Sequence, residues 1–222
     1  PAYNEEKNIG KTVEKALKIL PSLASNYEII VVNDGSTDST KAVVEKITEK
    51  DPQVKIVSHP KNLGYGAALR TGFSTASNPL IAYIDADGQY EIGEISKFLE
   101  KINKADLVIG QRKKRAEGSI REINERVLSF LVRFFYGVKI ADVDCGFKMI
   151  SAEALKKISP LSATFATIST EIIAKAAKNN LKIAKVSVTH LPRIAGKQTG
   201  STPAVIAKSA IEFFKLWWKL KG

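Results

Sequence analysis

Leu80-Ile-Ala-Tyr-Ile-Asp-Ala-Asp-Gly-Gln89 is an apolar run that ends in two carboxylates one residue apart. Its first five residues predict a short buried strand. On the extended backbone past that strand, Asp85 and Asp87 point the same way. They repel each other unless something positive lies between them. A hard divalent ion, Mg2+ or Mn2+, itself held by a diphosphate, meets that need, and Gln89 offers a neutral oxygen. A solvated acidic turn is the simpler alternative.

Outward from this stretch, similar short runs alternate with helical patterns. Glu28–Asn33, Val54–Val57 and Leu107–Ile109 read as further buried strands. Ile9, Val13, Leu17 and Leu20 make one helical stripe, and Val43, Val44 and Ile47 another, with Asp38 or Ser39 as its cap. Gly66–Thr75 and Glu91–Asn103 complete the set. Strand–helix–strand alternation predicts an α/β fold, a mostly parallel sheet flanked by helices. Ligands of such sheets bind beyond the carboxyl ends of the strands.

Each strand end therefore matters. After the first strand comes Asn33-Asp34-Gly35-Ser36-Thr37-Asp38, a capping turn in which Asp34 is available to a base or ribose. Asn62-Leu63-Gly64-Tyr65-Gly66 places two glycines before a helix, either to admit a phosphate or to allow a tight turn and close helix packing. Leu69 stands where a dinucleotide fingerprint has its third glycine. Gln111-Arg112-Lys113-Lys114-Arg115 follows another strand, and Arg121 opens a helix predicted over Ile120–Tyr136 with Ser119 as cap. A cation at that end opposes the helix dipole, which favours a ligand role for Arg121. Asp142-Val-Asp-Cys-Gly-Phe-Lys148 reads as a loop. Leu181–Thr189 alternates as a strand. His59 and His190 lie beside or near prolines with no second histidine at ligand spacing, so both are given structural roles.

The chain has 222 residues, with no internal repeat or linker, and is read as a single domain. Its charge is uneven: residues 1–110 hold 13 basic and 15 acidic side chains, residues 111–222 hold 21 and 8. The second half therefore wants an anion. One cysteine, Cys145, rules out an intrachain disulfide framework and fits a reducing compartment. No apolar run approaches the roughly 18 residues of a membrane span. A last helix over 203–220, opened by Thr202-Pro203, puts Lys208, Glu212, Lys215 and Lys219 on one face. Phe213, Phe214, Leu216, Trp217, Trp218 and Leu220 fill the rest, a pattern suited to a bilayer interface or to docking on a core. The chain starts inside a motif without an initiator Met, so a longer parent protein is expected, trimmed before Pro1; a membrane span beyond Gly222 is also compatible.

Taken in order, Pro1-Ala-Tyr-Asn-Glu-Glu6, Val31-Val-Asn-Asp-Gly-Ser-Thr-Asp38, Asn62–Gly66, Asp85–Gln89, Asp142–Lys148 and Arg193-Ile-Ala-Gly-Lys-Gln-Thr-Gly200 resemble family 2 glycosyltransferases. The closer resemblance is to the dolichyl- or polyprenyl-phosphate mannose or glucose synthase branch. It implies a nucleotide-diphospho-sugar (GT-A type) fold and inverting transfer of a hexose from GDP-mannose or UDP-glucose to a polyprenyl phosphate. By the same match, Pro1, Ala2, Tyr3, Asn4, Glu5, Asp34, Gly64 and Asp85-Ala86-Asp87 surround the nucleotide sugar. Asp85, Asp87 and Gln89 hold Mg2+ or Mn2+. Arg112, Arg121, Lys148 and Arg193 take the acceptor phosphate or donor diphosphate. Gln198-Thr199 replace the Ser-Lys of several relatives, which leaves the donor open.

The resemblance places the enzyme on the cytoplasmic face of an anionic membrane, peripheral or anchored. A hydroxyl acceptor would need a carboxylate base, a role open to Asp142 and Asp144. A basic nucleic-acid-binding module is the remaining alternative. It lacks a recognisable fold motif here, and nucleic acid is not an expected partner.

Overall fold

The computed structural model of the chain describes residues 1–112, 119–193, 195–196 and 202–221, of which 119–124 and 203–204 are described by backbone alone. The elements run α1 (Ile9–Ile19), β1 (Ile29–Asn33), α2 (Thr40–Thr48), β2 (Val54–Ser58), α3 (Tyr65–Thr75), β3 (Leu80–Ile84) and α4 (Ile95–Ile102). They continue with β4 (Leu107–Arg112), α5 (Ser119–Tyr136), β5 (Phe147–Ser151), α6 (Ala152–Ile158), α7 (Thr167–Lys178), β6 (Ile183–Val188) and α8 (Pro203–Lys221). The helix expected over 91–103 starts as a 3-10 turn at Ile92–Glu94 before α4.

β1 and β2 form a parallel pair, and the other strands form a sheet in the order β3-β5-β4-β6. β4 and β6 are parallel, whereas β5 runs antiparallel to both β3 and β4. β5 starts within the segment Asp142–Lys148 that reads as a loop in sequence, and Lys148 interrupts its apolar run Phe147-Lys-Met-Ile150. Its direction positions the site. An antiparallel strand begins where its parallel neighbours end, so Phe147 pairs with Ile84. The loop before β5 is thereby laid against Asp85.

Leu107, Val108 and Ile109 of β4 are fully buried. α4 packs Phe98 on Phe147 in a stacked contact with ring centroids 4.2 Å apart, and truncating such a ring costs about 3–5 kcal/mol. β1 and β3 share no ladder, and a small apolar cavity lined by Ile29, Val31, Ile84, Ile9 and Val13 lies between them. Glu28 ties the two sheets at their lower end. It accepts from Lys55 Nζ at 2.8 Å, Ser77 N at 2.7 Å and Asn78 Nδ2 at 3.1 Å.

Candidate active site

The site forms at the ends of β1, β3 and β4, where the α/β rule places it. Asp85 is half-buried at the tip of β3, and its Oδ1 accepts the Tyr65 hydroxyl at 2.9 Å. The space beside it exists because residue 146 is glycine: a Cβ there would stand 1.9 Å from Asp85 Oδ2. Asp87 Oδ1 accepts the Gln89 backbone N–H at 3.0 Å, and its Oδ2 lies 3.5 Å from Arg193 Nη1. Burial raises the Asp85 pKa. Burial, then the neighbouring Asp85 charge, raise Asp87 to about 6. Two such carboxylates carry charge together more easily with a cation between them.

Among the described residues no group of three or more His, Cys, Asp and Glu converges on one point. A hard cation that takes its other oxygens from a diphosphate and water needs only a few protein ligands. Asp85 and Asp87 fit such an ion. Gln89 is buried; its Nε2 donates to the Leu191 carbonyl at 3.0 Å, and its backbone carbonyl accepts Leu191 N–H at 2.8 Å. It holds the segment leading to Arg193.

The N-terminal loop is sewn to the turn after β1. Ala2 N–H donates to the Val32 carbonyl and Asp34 N–H to the Ala2 carbonyl, both at 2.8 Å. Asn4 accepts Thr37 N–H at 2.8 Å, and Glu5 N–H donates to Thr40 Oγ1 at 2.8 Å. Asp38, just before the Ser39 N-cap of α2, accepts Thr40 N–H at 2.9 Å. Pro1 and Tyr3 stay partly exposed beside this seam, and Ala86 is buried next to it. Glu5 accepts Asn8 Nδ2 at 2.6 Å and pairs with Arg193. Arg193 thus links the first loop to Asp87, and Arg193 Nε also donates to the Ala195 carbonyl at 2.9 Å.

Asp34 and Gly64 depart from the ligand-facing reading. Asp34 Oδ1 lies 2.6 Å from His59 Nδ1 and accepts Leu63 N–H at 2.9 Å, while Oδ2 accepts Gly64 N–H at 2.9 Å. The carboxylate therefore clamps its own neighbouring turn, and His59 has the structural place expected of it. Gly64 has φ +103°, and a Cβ there would lie 2.6 Å from the Thr164 carbonyl. At Gly66 the clash would be 2.4 Å from the Ala163 carbonyl. Both glycines serve a tight turn and close packing on the 163–165 loop.

On the basic side the arginine and lysine expected at an anion are enclosed. Arg112 is buried; its Nε donates to Asp142 Oδ2 at 2.7 Å, its Nη2 to Asp142 Oδ1, and its backbone N–H to Oδ2 at 2.9 Å. Glu125 lies 3.7 Å from the same guanidinium. Two carboxylates thus neutralise a buried cation, which leaves Arg112 poorly placed for a phosphate and Asp142 poorly placed as a base. Lys148 is fully buried inside the sheet, with its Nζ donating to the Cys145 carbonyl and to Ser169 Oγ at 3.3 Å. No acceptor on the surface reaches it. Asp144 differs: burial, then the Glu125 charge, raise it to about 7, and its residue remains partly exposed. The Arg121 side chain lies outside the described residues, as do Lys113, Lys114, Arg115, Gln198 and Thr199.

Tyr65, Glu125 and Gly146 escaped the sequence reading. A phenol between two glycines at a helix start was the signal for Tyr65. Nothing in spacing marked Glu125, whose Oε1 accepts Val143 N–H at 2.7 Å.

A mixed sheet with paired carboxylates at the end of its β3 strand and a sewn N-terminal loop defines a GT-A type glycosyltransferase fold. The chain superposes on the solved structure of glucosyl-3-phosphoglycerate synthase from Mycobacterium tuberculosis, in complex with Mn2+, UDP and glucosyl-3-phosphoglycerate, with a TM-score of 0.71. Identity is 19%, and the match covers 99% of this chain and 77% of the other. Residues 1–159 match glycosyl transferase family 2, and the chain belongs to that family. It is 36% identical over 178 residues to a dolichyl-phosphate beta-glucosyltransferase of Trichomonas vaginalis, covering 72% of this chain and 52% of the relative. It is 30% identical over 200 residues to the dodecaprenyl-phosphate galacturonate synthase of Rhizobium johnstonii, covering 88% and 59%. The human dolichyl-phosphate beta-glucosyltransferase is 31% identical over 177 residues, covering 71% and 55%. The chain spans between half and three-fifths of the length of these relatives.

Proposed function

We propose that this chain moves a hexose from a nucleotide sugar to the phosphate of a polyprenyl or dolichyl lipid, with inversion, at the cytoplasmic face of an anionic membrane. Residues 1–110 supply the donor half and 111–222 the acceptor half. The observation that carries this reading is the Asp85–Asp87 pair with Arg193 beside it, at the strand ends where a diphosphate would lie. The names of the curated relatives support a lipid-phosphate acceptor and a sugar of the glucose or uronate type.

In the step itself a phosphate oxygen of the acceptor bonds to the anomeric carbon as the bond from that carbon to the nucleoside diphosphate breaks. Attack from the opposite face inverts the centre. The acceptor oxygen is already anionic, so no base is required. Asp85 and Asp87 would hold Mg2+ or Mn2+, which when bound offsets the charge that collects on the departing diphosphate. Tyr65 keeps Asp85 turned toward the site. Arg193, steadied by Glu5, adds a cation on the same side of the reaction.

A second reading has one observation in its favour. Asp144, with a pKa near 7, is suited to take a proton from a sugar hydroxyl, as a saccharide acceptor would require. A panel of labelled GDP- and UDP-hexoses, offered with Mn2+ and either polyprenyl phosphate or saccharides, separates the two. Label in the lipid, lost in Asp87→Ala together with metal-dependent donor binding, supports the first. Label only in saccharide removes it.

A further inference from the structure

Residues 142–146, between α5 and β5, line one side of the site, and buried side chains fasten their backbone. Val143 N–H donates to Glu125 Oε1 at 2.7 Å, and Asp142 is fixed by Arg112. Two further bonds fall on a single peptide group, the one that joins Cys145 to Gly146. Its carbonyl accepts Lys148 Nζ, and its N–H donates to Tyr90 Oη at 2.9 Å. Lys148 is fully buried and Tyr90 nearly so.

Gly146 is where this fastening matters. The carboxyl group of Asp85 lies over its α-carbon: a Cβ there would stand 1.9 Å from Oδ2, 2.4 Å from Cγ and 2.8 Å from Oδ1. So close an approach requires glycine, and glycine is also the residue whose backbone turns most freely. Left loose, the 145–146 peptide could rotate into Asp85 or away from it. A bond to each end of the same peptide removes that freedom. The two anchors are themselves fixed. The Tyr90 ring packs edge-to-face on Phe147 and His190, with centroids 6.1 and 5.2 Å apart. Lys148 Nζ also donates to Ser169 Oγ at 3.3 Å and lies 5.5 Å from the centroid of the Tyr83 ring. A buried ammonium is costly, and an apolar side chain of similar length would fill its place at lower cost. Among the described residues its direct partners are a carbonyl, a hydroxyl and a ring face rather than a carboxylate. What it holds accounts for its presence.

We propose that Tyr90 and Lys148 are positioning residues for Asp85, acting together through the Cys145–Gly146 peptide. Tyr65 holds Oδ1, and this peptide stands against the other side of the carboxylate. Asp85 is thereby kept in one orientation before any cation arrives. The proposal deepens the reading of Asp85 and Asp87 as holders of a divalent ion and rests on it for its purpose.

The test compares Tyr90→Phe, Lys148→Met and Ser169→Ala in the full chain. Calorimetric titration with UDP and with GDP, each with and without Mn2+, is the first readout. Partners behind a metal ligand typically contribute about 10–100-fold in metal affinity. The Mn2+-dependent part of nucleotide binding should fall by such a factor in Tyr90→Phe and in Lys148→Met, with metal-free binding unchanged. Ser169→Ala removes the other acceptor of Nζ and should bind as wild type. Tyr90→Phe combined with Lys148→Met should lose less than the product of the separate losses, because the peptide is already free after the first. Tyr90→Phe keeps the ring packing and decides the matter alone should Lys148→Met fail to fold. Equal loss with and without Mn2+, or full metal-dependent binding in Tyr90→Phe, would overturn the proposal.

Exchange of the Gly146 amide, followed by NMR in metal-free protein, keeps failure of the clamp apart from failure of the metal reading. The amide should be protected in wild type and exchange about tenfold faster or more in Tyr90→Phe. Exchange that this substitution leaves unchanged overturns the clamp. Faster exchange, beside wild-type nucleotide binding that ignores Mn2+, leaves the clamp standing and removes the metal reading.

Discussion

Tyr65 donates its hydroxyl to Asp85 Oδ1 at 2.9 Å, joining the first turn of α3 to the tip of β3. The ring is partly buried, and its pKa lies well above the ordinary value because of desolvation and the Asp85 charge, so it stays a donor. Tyr65→Phe removes that donor without changing the packing of the ring. Loss of a hydrogen bond to a charged acceptor is worth about 1.5–3 kcal/mol, so Mn2+-dependent donor affinity should fall at least about tenfold. Titration calorimetry with UDP- and GDP-sugars measures it; unchanged affinity would deny Tyr65 a positioning role.

Gly146→Ala attacks the same carboxylate from the other side. The added methyl would overlap Asp85 Oδ2, 1.9 Å away, so Asp85 must rotate off its position. Donor binding that depends on Mn2+ should be lost while nucleotide binding without metal persists. Equal loss of both would mean a general collapse of the strand end.

Asp142→Asn tests the enclosed ion pair. The Arg112 guanidinium would keep its buried place but lose half its compensating charge. Breaking such a pair costs about 3–5 kcal/mol. For a chain of this size the melting temperature should drop by on the order of 10 °C. A drop of a degree or two would show the pair to be relaxed and solvated, and would return Arg112 to the list of anion binders.

The pH dependence of Asp144 has a definite sign. The folded chain holds its proton up to about pH 7, against an ordinary value of 3.8. Between those values the folded state binds more protons than the unfolded, so rising pH costs stability. Asp144→Asn should be near neutral in stability at about pH 4 and stabilising at about pH 8, by melting temperature. Activity divides the acceptor readings: transfer to a lipid phosphate should survive this change, whereas a hydroxyl acceptor should lose its base.

Glu28 works in the opposite direction. Burial opposes its ionisation, yet the hydrogen bonds from Lys55 and Ser77 outweigh burial and hold its pKa at about 2, against an ordinary 4.5. Its stabilisation is complete above the ordinary value and fades as pH falls toward 2. Glu28→Gln should cost about 1 kcal/mol at neutral pH, and the difference from wild type should close in acid. A constant difference across that range would assign the effect to packing.

The sequence by itself determined the α/β class, most of the strands and the Asp-X-Asp pair. Those features are local: period, β-branching and the polar residues that must follow a buried strand. The same local logic located the capping turn at Asp38 or Ser39, of which Ser39 is the N-cap; the N-terminal motif was legible only through its resemblance to the family. Only the tertiary structure decided which charges face a ligand. Arg112 and Lys148 look like anion binders in one dimension, but Asp142 and the Cys145 carbonyl reach them through the loop before β5, and Glu125 from α5. Glu5 and Arg193, at opposite ends of the chain, meet when the segment after β6 returns to the N-terminal loop. A charge in sequence carries its sign alone. Its duty is set by the energetic cost of leaving it buried without a partner, and that cost exists only once distant segments have closed around it.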